Sequence, residues 1–113
     1  PPPPPAPPPP PPPPDKVAPT VHAYAVSARR GTLVKLRYRV RDDDGETSEQ
    51  ISIYRRSTVL RAFRRALRAT DDFTAYWITW RAPKRPASLR FCVRATDAAG
   101  NRSALSCAPL RIL

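Results

Sequence analysis

Apolar and basic side chains alternate without exception between residues 34 and 41. The apolar positions are Val34, Leu36, Tyr38 and Val40, and the basic positions are Lys35, Arg37, Arg39 and Arg41. Successive side chains of a β-strand point to opposite faces of its sheet, so a period of two marks a strand with one buried face. This stretch therefore predicts a half-buried strand whose basic side faces solvent.

Shorter stretches with the same period predict further strands. Residues 20–28 predict a first strand, and residues 50–54 predict a short one. The aromatic and β-branched residues 73–80 predict a strand that is apolar on both faces and ends before Pro83. Between them, the apolar positions of residues 58–69 fit a helical face, although every neighbouring segment indicates sheet. We interpret this segment as one or two strands.

The last two predicted strands, residues 89–95 and 103–112, suit an antiparallel hairpin that turns at Ala99 and Gly100. In that register Cys92 lies opposite Cys107. The inward pairs are Leu89 with Leu110, Phe91 with Ala108, Val93 with Ser106, and Ala95 with Ala104. The hydrophobic phase and the cysteine positions support the same register, with both cysteines on the outward face.

The hairpin register makes a disulfide between Cys92 and Cys107 feasible, because directly opposed residues have close Cβ atoms. Such a bond would stabilise the domain by about 3 kcal/mol in the chain-entropy account. Disulfides persist in oxidising compartments, so we expect a protein exported to the cell envelope or the extracellular space. Two free thiols on adjacent strands are the alternative.

About seven short strands predict an all-β antiparallel sandwich for residues 15–113. Residues 1–14 differ sharply, because 13 of them are proline. Proline has no amide hydrogen to donate and a fixed φ, so this segment predicts an extended polyproline II arm that serves as a linker. A ligand for a proline-recognising groove is the other interpretation. The absence of an initiator methionine suggests a fragment with a further domain upstream.

The segment 91–103 reads F-C-V-R-A-T-D-A-A-G-N-R-S, which resembles the penultimate strand and following turn of bacterial immunoglobulin-like and fibronectin type III-like modules. Residues 15–21, D-K-V-A-P-T-V, and 36–45, L-R-Y-R-V-R-D-D-D-G, are similar to other parts of those modules. The resemblance implies an immunoglobulin-like or fibronectin type III-like β-sandwich that accompanies a catalytic or adhesive region of a secreted or surface protein. The second-strand tryptophan of fibronectin type III modules and an Arg-Gly-Asp triplet are both missing, so adhesion of the integrin type is not implied.

Composition points to an anionic partner. The chain has 20 Lys and Arg residues against nine Asp and Glu, a formal net charge of +11. Two arginine-rich stretches are candidates for binding an anionic cell-wall polymer or polysaccharide. The candidate residues are Lys35, Arg37, Arg39, Arg41, Arg55, Arg56, Arg61, Arg64, Arg65 and Arg68. A solvated face that keeps the sheet soluble is the alternative. Nucleic acid is disfavoured, because no known binding motif is present.

Three smaller features have a chemical and a structural interpretation. An acidic cluster is a weak candidate for a metal site, although its spacing does not match an EF-hand and a solvated loop is the default. Its members are Asp42, Asp43, Asp44 and Glu46. Trp77 is a candidate for stacking on a sugar, whereas Trp80 shares a face with Ile78 and is expected in the core. His22 has no metal-ligand partner at a suitable spacing, so we expect a structural role.

The sequence offers little for catalysis. Three glycines, one histidine and two cysteines provide no phosphate-binding glycine loop, no histidine cluster and no four-ligand zinc set. We therefore expect no enzyme and no cofactor. Our leading hypothesis is a noncatalytic extracytoplasmic module that acts as a spacer or interaction domain of a larger protein. The alternatives are a binder of polyanions or carbohydrate and the C-terminal accessory domain of a secreted hydrolase.

Overall fold

A computed structural model of the chain describes residues 1–10, 17–43 and 45–113. Within these ranges the chain forms eight strands and no helix. The strands are β1 (Thr20–Ala23), β2 (Val26–Ala28), β3 (Leu33–Arg41), β4 (Glu46–Arg55), β5 (Thr58–Ala69), β6 (Tyr76–Arg81), β7 (Ala87–Asp97) and β8 (Ser106–Ile112). The chain is all-β, as the period of two predicted.

The strands form two sheets that share one core. One sheet has three strands in the order β1-β3-β6, and the other has five in the order β2-β8-β7-β4-β5. Every pairing is antiparallel except that of β2 with β8, which is parallel. The arrangement is consistent with the predicted β-sandwich and has eight strands where about seven were predicted. The expectation of only antiparallel pairing was wrong, because β2 pairs in parallel with β8.

The core is built from alternate residues of the long strands. On β3 the apolar residues of the repeat are buried and the basic ones point away from them, as predicted. Across the core, β4 and β7 contribute side chains with no exposed surface. The largest of these are Ile51, Ile53 and Phe91. Ile78 and Trp80 of β6 pack against this core, as expected for Trp80. Burial of these apolar surfaces holds the two sheets together.

The single first strand predicted for residues 20–28 is two strands in different sheets. β1 pairs with β3, and after Tyr24 and Ala25 the chain crosses to the other sheet, where β2 pairs with β8. The inward residues are Val21 and Ala23 in β1 but Val26 and Ala28 in β2, so the period of two changes phase at the crossing, a signal that the prediction of one strand overlooked.

The hairpin of β7 and β8 has the predicted register from Ala87 opposite Ile112 to Val93 opposite Ser106. Beyond it the predicted pairing of Ala95 with Ala104 was wrong. The amide of Ser103 donates to the carbonyl of Ala95 at 2.8 Å, and the amide of Ala95 donates to the Ser103 hydroxyl at 2.9 Å. The Ser103 side chain thus replaces a backbone partner, and the regular strand starts only at Ser106.

The bounds of β4 and β6 also differ from the sequence prediction. β4 is longer than residues 50–54 and includes Glu46, which the acidic cluster predicts in the preceding loop. β6 starts at Tyr76 instead of residue 73. Residues 58–69 form one strand with the predicted bounds, because β4 provides a hydrogen-bonded partner along its length, with two register shifts.

Residues 1–10 contain neither helix nor strand and are exposed. Residues 11–16 lie outside the described ranges, and with them the predicted boundary between the proline arm and residues 15–113. The polyproline II conformation of the arm stays a prediction.

Candidate functional site

The outward side of the three-stranded sheet carries the basic half of the β3 repeat. Lys35 and Arg37 are exposed, and Arg39 is half-buried. Tyr24 and Trp77 lie on the same side and are 37% and 46% exposed. We call these five residues the basic face. It combines cations with two aromatic rings that remain accessible to a ligand.

Backbone pairing places Tyr24, Arg37 and Trp77 in one row across the sheet. The Tyr24 amide donates to the Arg37 carbonyl at 3.1 Å, and Arg37 lies opposite Trp77 in the pairing of β3 with β6. The ammonium of Lys35 lies 5.0 Å from the centroid of the Trp77 ring. A cation over an indole ring is an attractive arrangement, which holds the Lys35 charge beside Arg37. The candidate for sugar stacking, Trp77, is therefore exposed but shares its ring with Lys35.

A groove of about 590 Å³ crosses this side of the sheet. It is lined by Lys35, Arg37 and Arg39 of β3, with Tyr24 and residues of β2 on the other wall. The groove exists because the chain leaves the three-stranded sheet after β1, which exposes the flank of β3. The predicted basic strand thus borders a concave surface.

The cations along β3 differ in their acidic neighbours. Arg41 lies 3.7 Å from the carboxylate of Asp72, although both side chains are well exposed, and Arg39 donates to the backbone carbonyl of Asp72 at 3.0 Å. Lys35 and Arg37 form no ion pair with any carboxylate in the described part of the chain. Their positive charge is therefore the part of the basic face most available to an external anion.

The second arginine-rich stretch does not form one surface. Arg61 and Arg65 flank Phe63 on the inward side of β5, where the Arg65 guanidinium donates to the backbone carbonyl of Trp77. That contact joins Arg65 to the basic face across the edge of the sandwich. Arg64 lies opposite Gln50 on the other side of the five-stranded sheet. The remaining two candidates, Arg55 and Arg56, lie at the turn between β4 and β5.

Arg68 has an internal role that the sequence analysis missed. Its guanidinium donates two hydrogen bonds to the carboxylate of Glu49, at 2.8 and 2.9 Å, and the Tyr38 hydroxyl donates to the same carboxylate at 2.9 Å. Glu49 is 1% exposed and Tyr38 is fully buried. Arg68 also lies 5.0 Å over the ring of Tyr76. The Arg68 side chain is itself half-buried, with 29% of its surface exposed. We call Tyr38, Glu49 and Arg68, which meet at the buried carboxylate of Glu49, the buried triad.

Burial is the main cause of a raised pKa for Tyr38, and the negative charge of Glu49 raises it further. The phenol therefore stays protonated and keeps donating to Glu49. The pKa of Arg68 is raised chiefly by its hydrogen bond to Glu49. The triad links β3 of one sheet to β4 and β5 of the other, so its charges are satisfied inside the fold. The sequence contains a signal for the burial of Glu49. Glu49 lies two residues before Ile51 and four before Ile53, and both isoleucines point inward.

The disulfide between Cys92 and Cys107 is formed, as predicted. Their Cα atoms are 4.0 Å apart, the short separation of a non-hydrogen-bonded antiparallel pair. The bond lies on the outward side of the five-stranded sheet, although Cys92 is only 2% exposed. It therefore joins β7 to β8 on the side of the sandwich opposite the basic face.

The other candidates show no metal chemistry in the described residues. Asp42 and Asp43 lie in the loop after β3, Glu46 lies in β4, and Asp44 is outside the described ranges. Within the part of the chain that the structure describes, no group of three or more His, Cys, Asp or Glu residues could hold a metal ion. His22 makes an edge contact with the ring of Tyr24 at 4.6 Å between centroids.

Comparison with known proteins adds no family. The chain matches no protein-family model, and no curated protein matches it in sequence. No helix in the described ranges is long and apolar enough to cross a membrane. The residues of the basic face bring together cations, two aromatic rings and a groove.

Proposed function

We propose that residues 15–113 are an immunoglobulin-like or fibronectin type III-like, noncatalytic module of a larger exported protein. The strand order supports the proposal. In immunoglobulin-like folds the strands lettered A, B and E share one sheet, and G, F, C and C′ share the other. Here β1, β3 and β6 correspond to the first group, and β8, β7, β4 and β5 to the second. β2 then corresponds to a detached second half of strand A.

A further observation supports export. The disulfide between Cys92 and Cys107 is compatible with an oxidising compartment. In this proposal the proline arm is a linker to the upstream part of the same polypeptide.

The module's task, in our proposal, is to bind an anionic polymer through the basic face. The observation that carries it is the groove bordered by Lys35 and Arg37, whose charges no described carboxylate neutralises. Arginine forms paired hydrogen bonds with carboxylate, sulfate or phosphate groups. The high net charge adds long-range attraction that salt weakens. A spacer that needs only a solvated surface would require neither the groove nor the exposed aromatic rings.

Retention on a heparin-type matrix tests this proposal. The triple variant Lys35→Ser, Arg37→Ser, Arg39→Ser removes three charges from the basic face. Its matched control, Arg64→Ser, Arg90→Ser, Arg111→Ser, removes three from the outward side of the five-stranded sheet. We expect the wild type and the control to elute well above physiological salt and the basic-face variant to elute much earlier. Equal losses in both variants would show a nonspecific charge effect and support a simple spacer.

A further inference from the structure

The edge of β3 is open along half of its length. β1 pairs only with the four residues from Tyr38 to Arg41, while β2 belongs to the other sheet. On the opposite side, β6 pairs with β3 from Leu33 to Tyr38. Residues 33–36 therefore have a strand neighbour on one side and the groove on the other, and Tyr24 lies opposite Arg37 where the open edge ends.

Two hydrogen bonds near the ends of this edge show which backbone groups of β3 face the groove. The Ala82 amide donates to the Thr32 carbonyl at 2.8 Å, which directs even-numbered residues of β3 toward β6. The Tyr24 amide donates to the Arg37 carbonyl, which directs odd-numbered residues the other way. Leu33 and Lys35 thus turn both backbone groups to the groove, and Arg37 turns its amide there. None of these five groups has a hydrogen-bond partner within the described residues.

The side chains along this edge alternate in character. Leu33, Lys35 and Arg37 point to the outward face, and Leu33 is 63% exposed. Val34 points inward, and the half-buried Val26 stands across the groove. A strand laid against this edge would place alternate side chains beside the cations and the others against apolar groups.

We infer that the partner of the basic face is an extended acidic peptide segment, which adds to the edge of β3 as an antiparallel strand in the line of β1. The inference rests on the proposed function and names its ligand. Backbone donors and acceptors repeat here at every second residue, a pattern that another peptide backbone matches and a polysaccharide does not. The segment carries a carboxylate opposite Lys35, within reach of Arg37 on the same face, and small apolar side chains toward Val26.

Edge strands rich in cations normally resist pairing with other chains. Two copies of this domain would repel each other at β3, because each presents Lys35 and Arg37. An acidic strand carries charges opposite to those of Lys35 and Arg37. The cations that repel a second copy of the domain therefore attract an acidic partner. This selectivity explains how an unpaired edge can persist in a domain with a net charge of +11.

The test uses a fluorescent peptide of seven residues that alternates aspartate and valine, with blocked ends, and fluorescence anisotropy with the whole chain. In antiparallel pairing, peptide residues opposite Leu33 and Lys35 lie on the outward face beside the cations and direct their amides to β3. These residues are the aspartates. We therefore expect methylation of the aspartate amide nitrogens to weaken binding at least tenfold. Methylation of the valine amides, the matched control, leaves the affinity within about twofold, because those amides face solvent.

Equal binding of both methylated peptides, or no binding of the unmodified peptide, would overturn strand addition. The heparin experiment distinguishes either result from failure of the proposed function. If the basic-face triple variant still loses heparin retention while its control does not, the polyanion site stands and its ligand is a polymer of another kind. If both tests fail, the basic face has no anionic ligand.

Discussion

Arginines of the basic face and Arg68 of the buried triad occupy opposite environments within one small domain. Arg37 lies beside a groove without a carboxylate partner, whereas Arg68 gives two hydrogen bonds to a carboxylate that is 1% exposed. The first keeps its charge available to an outside ligand. The second uses its charge to satisfy Glu49 and join the two sheets. Local pairing, and not residue type, decides whether an arginine serves the fold or a ligand.

The largest expected effect follows from removing the acid of the buried triad. Glu49→Ala leaves Arg68 and the Tyr38 hydroxyl without their shared acceptor and opens a small cavity. We expect a loss of about 3 to 4 kcal/mol in the free energy of unfolding. Urea denaturation measures it. Glu46→Ala, which removes an exposed carboxylate from the same strand, is the control and should change stability by less than about 0.5 kcal/mol.

Loss of the disulfide should come next. The double variant Cys92→Ala, Cys107→Ala removes a link across 15 residues, and we expect destabilisation of about 3 kcal/mol. Because the bond lies on the far side of the sandwich, heparin retention of the folded variant should stay unchanged. A loss of retention at a salt concentration where the variant is folded would mean that the two sides of the sandwich are coupled.

Tyr38→Phe removes one hydrogen bond from the buried triad and should cost about 1 to 1.5 kcal/mol near neutral pH. The pH dependence of the stability difference between the wild type and this variant gives a second test of the buried triad. The raised pKa of the buried phenol favours the folded state below about pH 10, and this contribution is lost as pH rises toward the pKa of the folded protein. Between pH 9 and 11 the wild type should therefore lose about 1.4 kcal/mol more than the variant. Parallel stability curves would contradict this role.

The smallest effect is expected at the basic face. Arg37→Ser removes an exposed charge without a carboxylate partner, so its free energy of unfolding should stay within about 0.5 kcal/mol of the wild type. Thermal or urea denaturation checks this value. A destabilisation above about 1 kcal/mol would show that Arg37 supports the fold, as Arg68 does.

Much of the fold could be predicted, because a strand with one buried face has apolar residues at every second position of the sequence. The β3 repeat and the pairing of Cys92 with Cys107 follow from the alternation of side chains across a strand. The crossing after Ala23 was missed although the inward positions change there from odd-numbered to even-numbered residues, because one strand was predicted across the change. The shift at Ala95 depended on a hydroxyl of Ser103 replacing a backbone partner, which no pattern specifies.

The candidate site was predictable in composition but not in shape. The cations of β3 were evident from their period, yet the groove beside them depends on where β1 ends and on the open edge of residues 33–36. Arg68 and Arg65 belong to the same stretch, and only tertiary contacts separate the first, which binds Glu49, from the second, which reaches Trp77. The one clue in the sequence to the contact between Arg68 and Glu49 was that Glu49 points to the same side of β4 as Ile51 and Ile53.

The most direct test follows the arginine side-chain Nε–H resonances of ¹⁵N-labelled protein by NMR during titration with a heparin-type oligosaccharide. We predict saturable shifts for Arg37 and Arg39 and none for Arg68, whose guanidinium is already bound to Glu49. Uniform small shifts across all arginines, or the largest shifts on the outward side of the five-stranded sheet at Arg90 and Arg111, would contradict a specific anion site on the basic face.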